Sequence, residues 1–274
     1  MTDVPRFASA WLDLREAADA AARADEPLRH LLPRLDQDPL VIHDMGCGTG
    51  SMTRWLAPRL PGRQKWVLHD RDPDLLALAA ERAPRTTPGG SGVEVTTACG
   101  DLASLTAGDL AGATLVTASA LLDVLTAEAV HGLVRTCVDA GVPALLTLSV
   151  AGRVELTPAD PLDPVIADAF NRHQRRGALL GPDAVSVAAE AFVREGATVS
   201  TFESPWRLGP DERALTAQWL RGWVDAACQQ SPGLGTDAAP YLRRRLAACA
   251  AGELRVVVHH NDLLALPGMR AATS

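Results

Sequence analysis

The chain has 274 residues and a formal net charge of −7, which limits both its architecture and its partners. A chain of this length buries an apolar core without needing disulfides or metals. Because nucleic-acid binding requires a basic surface, the negative charge argues against a nucleic-acid partner. No apolar run approaches the ~18 residues of a membrane span, and residues 1–5 lack the basic-then-apolar pattern of a signal peptide. We therefore expect a cytoplasmic protein with no membrane partner.

The apolar patterning predicts strands that alternate with helices over most of the chain. The predicted strands span residues 39–45, 66–69, 93–97, 113–118, 144–150, 198–202 and 254–259. The predicted helices span residues 7–31, 52–60, 73–82, 126–140, 160–176, 183–195, 211–228 and 238–251. Alternation at this spacing predicts an α/β fold in three layers, with helices on both faces of a mostly parallel sheet. The five cysteines are far apart and form no C-x-x-C pair, so no zinc site is indicated.

A glycine-rich turn follows the first predicted strand, with glycines at positions 46, 48 and 50. Glycines at alternate positions let the backbone turn sharply and let a ligand approach the main chain. A tight turn without a ligand is the alternative interpretation. A nicotinamide or flavin site would place glycine or alanine where this chain has Ser51. Asp44, just before the turn, disfavours a pyrophosphate and suits a sulfonium amino acid, which carries positive charge.

The segment from Asp44 to Gly50 resembles the acid-x-G-x-G-x-G motif of class I S-adenosylmethionine-dependent methyltransferases. The resemblance implies a Rossmann-like fold with a seven-stranded, mostly parallel sheet. It also implies S-adenosylmethionine as cofactor, S-adenosylhomocysteine as product, and no metal. Residues 39–150 carry the resemblance well, whereas residues 183–260 match only in the order of strands and helices.

Acidic residues after the second and third strands extend the resemblance. Asp70 stands where the family's acid binds both ribose hydroxyls, and Asp72 before Pro73 is expected to cap the next helix. Asp101 stands where an acid accepts a hydrogen bond from the adenine amino group, with Leu102 near the ring. The implied cofactor-binding residues are Asp44, Gly46, Cys47, Gly48, Gly50, Asp70, Arg71, Asp101, Leu102 and Ser119.

The motifs that the chain lacks narrow the range of possible methyl acceptors. The chain lacks the N/D/S-P-P-Y pattern of amino-directed nucleic-acid methyltransferases and the paired glutamates of protein arginine methyltransferases. It also lacks the acidic set of magnesium-dependent catechol enzymes. We therefore expect methyl transfer to an O, N or C atom of a small metabolite. A non-methylating enzyme that binds S-adenosylmethionine and a noncatalytic interaction module are the alternatives, and the sequence is silent on oligomeric state.

Because ligands of parallel sheets bind outside the carboxyl ends of the strands, the insertions leaving those ends are candidate lids. We divide residues 1–274 as one domain: a cover helix at 1–32, a core at 39–150, 183–206 and 253–265, and lid insertions at 151–181 and 207–252.

Two residues are candidate general bases. His173, in the first insertion, would titrate near neutral pH, although an exposed helix face is the plainer interpretation. Asp123, after the fourth strand, could instead bond backbone amides in its turn. The tandem pair His259 and His260 is expected to be remote from the site, because the family's final strand is antiparallel.

The acceptor-binding candidates come from the cover helix, the fourth-strand loop and the insertions. Arginines there could bind a carboxylate or phosphate, although solvated surface is the alternative. Tryptophans could form an aromatic wall, although core packing is the alternative. The candidates are Trp11, Arg15, Leu122, Arg172, Arg176, Trp206 and Trp223.

Overall fold

The computed structural model describes residues 8–268, and predictions that fall on residues 1–7 or 269–274 lie outside that range. Its strands are β1 (Leu40–Met45), β2 (Gln64–Asp70), β3 (Val93–Cys99), β4 (Leu115–Ser119), β5 (Ala144–Thr157), β6 (Thr198–Glu203), β7 (Trp206–Leu208) and β8 (Arg255–Leu266). They form one sheet in the order β3-β2-β1-β4-β5-β8-β6, with β7 paired to β8. Strands β1 to β5 pair in parallel, whereas β8 is antiparallel to β5, β6 and β7. The predicted mostly parallel α/β fold is confirmed.

The helices are α1 (Ser9–Ala22), α2 (Glu26–Leu31), α3 (Ser51–Leu56), α4 (Pro73–Arg82), α5 (Ala127–Ala140), α6 (Asp163–Gln174), α7 (Ala184–Arg194), α8 (Arg213–Gln230) and α9 (Gly235–Ala250). The single helix predicted over 7–31 is wrong, because the chain breaks between α1 and α2. Pro27 lies in the first turn of α2, where its missing N–H costs no helical hydrogen bond. None of the helices within residues 8–268 is long and apolar enough to cross a membrane.

Helices cover both faces of the sheet because its strands alternate their apolar side chains between the faces. On one face Ile42 and Leu68 pack in a cluster with α2, α3 and α4. On the other face Val116 and Leu146 pack in a cluster with α5 and α7. The carboxyl ends of β1, β2 and β4 therefore open at one edge of a layered core.

Strand β5 is twice as long as predicted, which moves both the predicted end of this strand and the predicted start of the first insertion. It continues past residue 150 to Thr157 through two register irregularities, so the segment predicted as lid from residue 151 begins as strand. The first half of β8 pairs with this extension, and β7 pairs with the other side of β8. The sheet therefore has eight strands among the described residues instead of seven. The three residues of β7 are too few to show an alternating pattern.

A third apolar cluster lies beyond the sheet edge that carries β7. It contains Leu156 from the extension of β5, Ile166 from α6, and Trp223 from α8. Helix α6 packs on α8, and α8 packs on α9. The two segments predicted as separate insertions, 151–181 and 207–252, therefore contact each other.

Helix α1 is fixed differently at its two ends. At its C-terminal end the buried Asp262 carboxylate accepts hydrogen bonds from the backbone N–H groups of Ala24, at 2.9 Å, and Leu148, at 2.8 Å. Leu148 has a φ of +56° in the irregular part of β5. Asp262 therefore joins α1 to β5 and β8. The N-terminal half of α1 carries solvent-accessible ion pairs, Asp13 with Arg82 and Glu16 with Arg54, and Trp11 packs on Trp206.

Replacement of Asp262 by alanine is expected to destabilise the protein by about 2–4 kcal/mol, because the buried Leu148 N–H and the partly buried Ala24 N–H lose their acceptor. Denaturant unfolding monitored by tryptophan fluorescence measures the change. The matched control is Asp225→Ala, since exposed Asp225 bonds only Gln229 on its own helix. A change as small as that of the control would show that Asp262 does not hold these segments together.

Candidate active site

A cavity of about 1030 Å³ opens at the carboxyl ends of β1, β2 and β4. Its walls include the predicted cofactor-binding residues with one exception, Gly50. Those that line it are Asp44, Gly46, Cys47, Gly48, Asp70, Arg71, Asp101, Leu102 and Ser119. The fold therefore brings together residues that the sequence distributes over four separate segments.

The glycine turn has a left-handed backbone at all three of its glycines. Gly46 has a φ of +63°, and a Cβ there would lie 2.9 Å from Leu121 Cδ1. Gly48 has a φ of +54°, and a Cβ there would lie 3.1 Å from Leu12 Cδ1 on α1. Gly50 differs, since it begins α3 and its Cβ would meet Ala79 of α4 at 3.2 Å. Gly46 and Gly48 thus shape the cavity, whereas Gly50 allows two helices to pack.

Asp70 fixes the turn against β2. Its Oδ2 accepts a hydrogen bond from the Gly48 N–H at 2.9 Å, and its Oδ1 accepts one from the Asp72 N–H at 3.0 Å. The N–H of Cys47 also donates to the carbonyl of His69. A half-buried carboxylate is therefore held rigidly on the cavity wall. As predicted, Asp72 caps α4 by accepting a hydrogen bond from the N–H of Asp74.

Asp101 lies beside Asp70 at the end of β3. Its exposed carboxylate accepts a hydrogen bond from the Ala103 N–H at 2.9 Å, which caps a short 3₁₀ turn. Leu102 follows it on the cavity wall. This end of the cavity therefore combines acidic oxygens with an apolar surface.

Asp44 is fully buried beneath the turn. Its Oδ1 accepts a hydrogen bond from Thr117 Oγ1 at 2.8 Å, and its Oδ2 accepts a longer one from Thr53 Oγ1 at 3.4 Å. Burial raises the pKa of Asp44 to about 7, although both threonine hydroxyls and the nearby Arg23 act in the opposite direction. A carboxyl group with this pKa gains most from a ligand that carries positive charge.

The opposite end of the cavity, at Ser119, is reached by a buried arginine. Arg23 Nη2 donates to Ser119 Oγ at 2.9 Å and to Ser51 Oγ at 3.1 Å. Its side chain lies over the ring of Trp55 and is only 4% exposed. Ala120, next to Ser119, has a φ of +52°, a strained backbone at the cavity wall.

The two candidate bases do not line the cavity. Asp123 is half-buried behind its neighbours Leu121 and Val124, which line the cavity, and its buried Oδ1 has no hydrogen-bond partner among the described residues. Burial raises the pKa of Asp123. His173 lies on α6, away from the cavity, and burial with the nearby Arg176 lowers its pKa. The structure therefore does not bring His173 to the site.

The expectation that His259 and His260 are remote from the site stays a prediction, but the two residues lie in different surroundings. Because β8 continues to Leu266, His260 pairs with Val150, close to the edge of the sheet where the cavity opens. The His260 ring lies 5.2 Å from the Trp206 ring, and burial lowers its pKa to about 3. His259 instead contacts Glu155 and Arg153 outside the cavity. No histidine within residues 8–268 lines the cavity itself.

Of the acceptor-binding candidates, Arg15 lines the cavity, and Trp11 and Trp206 lie against its guanidinium. Leu122 and Trp223 are packed in the core. Trp223 is stacked on Trp219 with ring centroids 5.0 Å apart.

Arg172 and Arg176 are exposed on and just beyond α6, outside the cavity. Arg172 pairs with Asp168, and Arg176 donates to the carbonyl of His173. The structure therefore does not bring these two arginines to the site.

Several lining residues were missed by the sequence analysis. Leu12 and Asp19 contribute from α1, and Glu128, Gly132 and Arg135 contribute from α5. On α1, the spacing of Arg15 and Asp19, one helical turn apart on the same face, could have indicated that both line the site. The α5 residues lack such a signal, because polar groups on one side of an amphipathic helix usually face solvent.

Comparisons with known proteins agree with this geometry. A family model described as a methyltransferase domain matches residues 42–143. A trans-aconitate 2-methyltransferase of Streptomyces avermitilis is 42% identical over 73 residues, which are 27% of this chain and 27% of that protein. The matched region is thus about a quarter of the length of the curated relative.

Two solved structures share the fold. The YcgJ protein of Bacillus subtilis has a TM-score of 0.50 at 13% identity, covering 90% of this chain and 100% of its own. A methyltransferase structure from Methanosarcina mazei, described as S-adenosylmethionine-dependent, has a TM-score of 0.50 at 11% identity, with coverages of 89% and 98%.

The match to the methyltransferase-domain model covers residues 42–143, which is less than half of the chain. The methyltransferase resemblance predicted from the sequence agrees with this match, and the predicted Rossmann-like fold is confirmed for the described residues. Within residues 8–268, no group of three or more His, Cys, Asp or Glu side chains is arranged to hold a metal ion.

The raised pKa of Asp44 predicts a specific pH dependence of stability. Between its unfolded pKa near 3.8 and its folded pKa of about 7, the folded protein holds a proton that the unfolded chain releases. The free energy of unfolding of wild type, relative to Asp44→Asn, should therefore fall with rising pH by up to about 1.4 kcal/mol per unit. Above pH ~7 the difference should become constant.

Urea unfolding of both proteins at several pH values between about 5 and 8 measures this difference. Asparagine preserves the size of the side chain and the hydrogen bond from Thr117, so the comparison isolates ionisation. A difference that does not change with pH would show that Asp44 is ionised throughout.

Proposed function

We propose that the protein transfers a methyl group from S-adenosylmethionine to a small molecule and releases S-adenosylhomocysteine. The observation that carries this proposal is the Asp70 carboxylate. Backbone N–H groups of Gly48 and Asp72 hold it on the wall of the cavity, directly beside the glycine turn. A fixed carboxylate at the end of β2 can accept hydrogen bonds from both hydroxyls of a ribose.

The other cavity groups fit the same ligand. The backbone at Gly46 and Gly48 has no Cβ, and the turn lies against the position where the methionine portion would be held. Asp44 beneath it favours positive charge, which an ammonium group and a sulfonium both supply. Asp101 and Leu102 offer an acceptor and an apolar contact to an adenine.

Bound S-adenosylmethionine would supply a methyl group already activated by its positively charged sulfur. A lone pair of the acceptor forms the new bond to the methyl carbon as the bond from carbon to sulfur breaks, which leaves a neutral thioether. The residues of the chain then have two tasks, to align the reactants and to exclude water. Helix α1, which places Leu12 over Gly48 and Arg15 in the wall, covers the cavity for the second task.

A small acceptor is supported by the size and position of the cavity. Its volume of about 1030 Å³ slightly exceeds the roughly 300–1,000 Å³ of pockets that bind one drug-sized ligand, which leaves space for a second small molecule. Since the curated relative is named for trans-aconitate, that tricarboxylate is the first acceptor to test. The single-domain division and the cytoplasmic location stay predictions.

Replacement of Asp70 by asparagine should weaken binding of S-adenosylmethionine and S-adenosylhomocysteine by about 10- to 100-fold, because a charged acceptor is lost. Calorimetric titration of both ligands measures this, with NAD as the comparison ligand. The control variant is Asp74→Asn, which changes an exposed carboxylate one turn away on α4.

Folded wild-type protein that binds neither adenosyl ligand would contradict the proposed cofactor. Binding without formation of S-adenosylhomocysteine in the presence of any acceptor would instead favour a non-methylating enzyme. Equal effects of the Asp70 and Asp74 variants would show that the ribose is held elsewhere.

A further inference from the structure

Arginine side chains lie at the end of the cavity beneath α1. Leu12 lies over Gly48, and Arg23, just past the helix, reaches Ser51 and Ser119. Arg15 lines the cavity beside Asp19. Acidic and basic side chains therefore both line the cavity, and the contacts of Arg15 decide whether it is available to a ligand.

Arg15 is held in a fixed orientation. Its Nε donates to Asp19 Oδ2 at 2.9 Å, and its Nη2 donates to Asp19 Oδ1 at 3.1 Å. Asp19 is in turn held by the Trp206 Nε1–H at 2.9 Å. The guanidinium carbon lies 5.0 Å from the Trp206 ring centroid and 6.0 Å from that of Trp11. The side chain therefore loses little further conformational entropy when a ligand binds.

The edge of the Arg15 guanidinium formed by Nη1 and Nη2 is available to a ligand. Asp19 occupies the Nε side, whereas Nη1 and the outer hydrogen of Nη2 have no acceptor among the described residues. Only 13% of the side chain is exposed, so bulk water has limited access to it. Two parallel N–H donors in one plane match the two oxygens of a carboxylate.

Arg23 adds a second positive charge behind this end of the cavity. It is 4% exposed, and its Nε and Nη1 have no partners within residues 8–268. Its hydrogen-bond partners are the hydroxyls of Ser51 and Ser119, and the carboxylates of Asp19, Asp262 and Asp44 act on it only from beyond hydrogen-bond distance. Arg23 does not line the cavity, so it contributes to the electrostatic potential there and leaves Arg15 as the guanidinium that a ligand can contact.

We propose that Arg15 binds a carboxylate of the methyl acceptor, so that the substrates are small carboxylic acids. This inference rests on the proposed function and names its substrate class. Asp19 and Trp206 are positioning residues that aim the open edge of Arg15 into the cavity. The neighbouring Asp19 charge disfavours a single group with two negative charges, such as phosphate, more than it disfavours one carboxylate group. The donor also carries a carboxylate, on its methionine portion, so the experiment must separate the two sources.

The experiment uses full-length protein saturated with S-adenosylhomocysteine, which fills the donor site without allowing reaction. Fumarate, benzoate, citrate and trans-aconitate are titrated in, each beside its neutral methyl ester and beside inorganic phosphate. Binding is followed by calorimetry and by fluorescence of the tryptophans that flank Arg15. At least one carboxylate should bind, and its ester and phosphate should bind at least about tenfold more weakly.

Arg15→Gln should weaken binding of that carboxylate by about tenfold or more, while the Kd of S-adenosylhomocysteine changes less than about twofold. Arg15→Lys should restore part of the affinity, since it keeps the charge but not the paired donors. The matched control is Arg63→Gln, which removes an exposed arginine paired with Asp38.

Two results would overturn the inference. In the first, no carboxylate binds to the wild-type protein loaded with S-adenosylhomocysteine. In the second, Arg15→Gln weakens binding of S-adenosylhomocysteine, which would show that Arg15 binds the carboxylate of the methyl donor. Failure of the wild-type protein to bind S-adenosylhomocysteine at all is a separate result, which contradicts the proposed function before the carboxylates are added.

Discussion

The buried carboxylate of Asp262 is the contact on which the arrangement of the site depends. It accepts hydrogen bonds from the end of α1 and from the irregular part of β5, and so connects three segments that are distant in sequence. A buried acid of this kind is stable because backbone N–H groups satisfy its oxygens. Through this contact α1 lies across the cavity, and Leu12, Arg15 and Arg23 reach the glycine turn and Ser119.

The parts of the fold that follow from local chemistry could be predicted from the sequence. The glycine turn, the Asp72 cap of α4 and the alternation of strands with helices each depend on a few adjacent residues. The length of β5 and the existence of β7 depend on pairing with β8, which lies some 50 to 110 residues away. Pairing with a distant strand produces no recognisable pattern in the sequence of β5 or β7, so the extension of β5 and the presence of β7 were not predicted.

The residues of the site also divide into those that could be predicted from the sequence and those that could not. The cofactor-binding end of the site was predictable because Asp44, Asp70 and Asp101 lie at or just beyond the ends of strands, and parallel strands bring their carboxyl ends to one edge. Gly50 was expected at the ligand and instead lets α3 approach α4, because a glycine is required wherever a Cβ would clash, whether with a ligand or with a neighbouring helix. At the other end Arg15 acquires its orientation from Asp19 and Trp206, which are separated by 187 residues. Such a contact between distant segments cannot be read from either segment alone.

The two ends of α1 are attached to the rest of the protein by different kinds of contact. Its C-terminal end is joined to the sheet through Asp262, whereas its first turns combine the ion pairs of Asp13 and Glu16 with the packing of Trp11 on Trp206. Ion pairs at the surface contribute little free energy and are screened by salt, so the apolar contacts of Trp11 and Leu14 carry most of the attachment of the first turns. The position of α1 over the cavity therefore depends little on ionic strength.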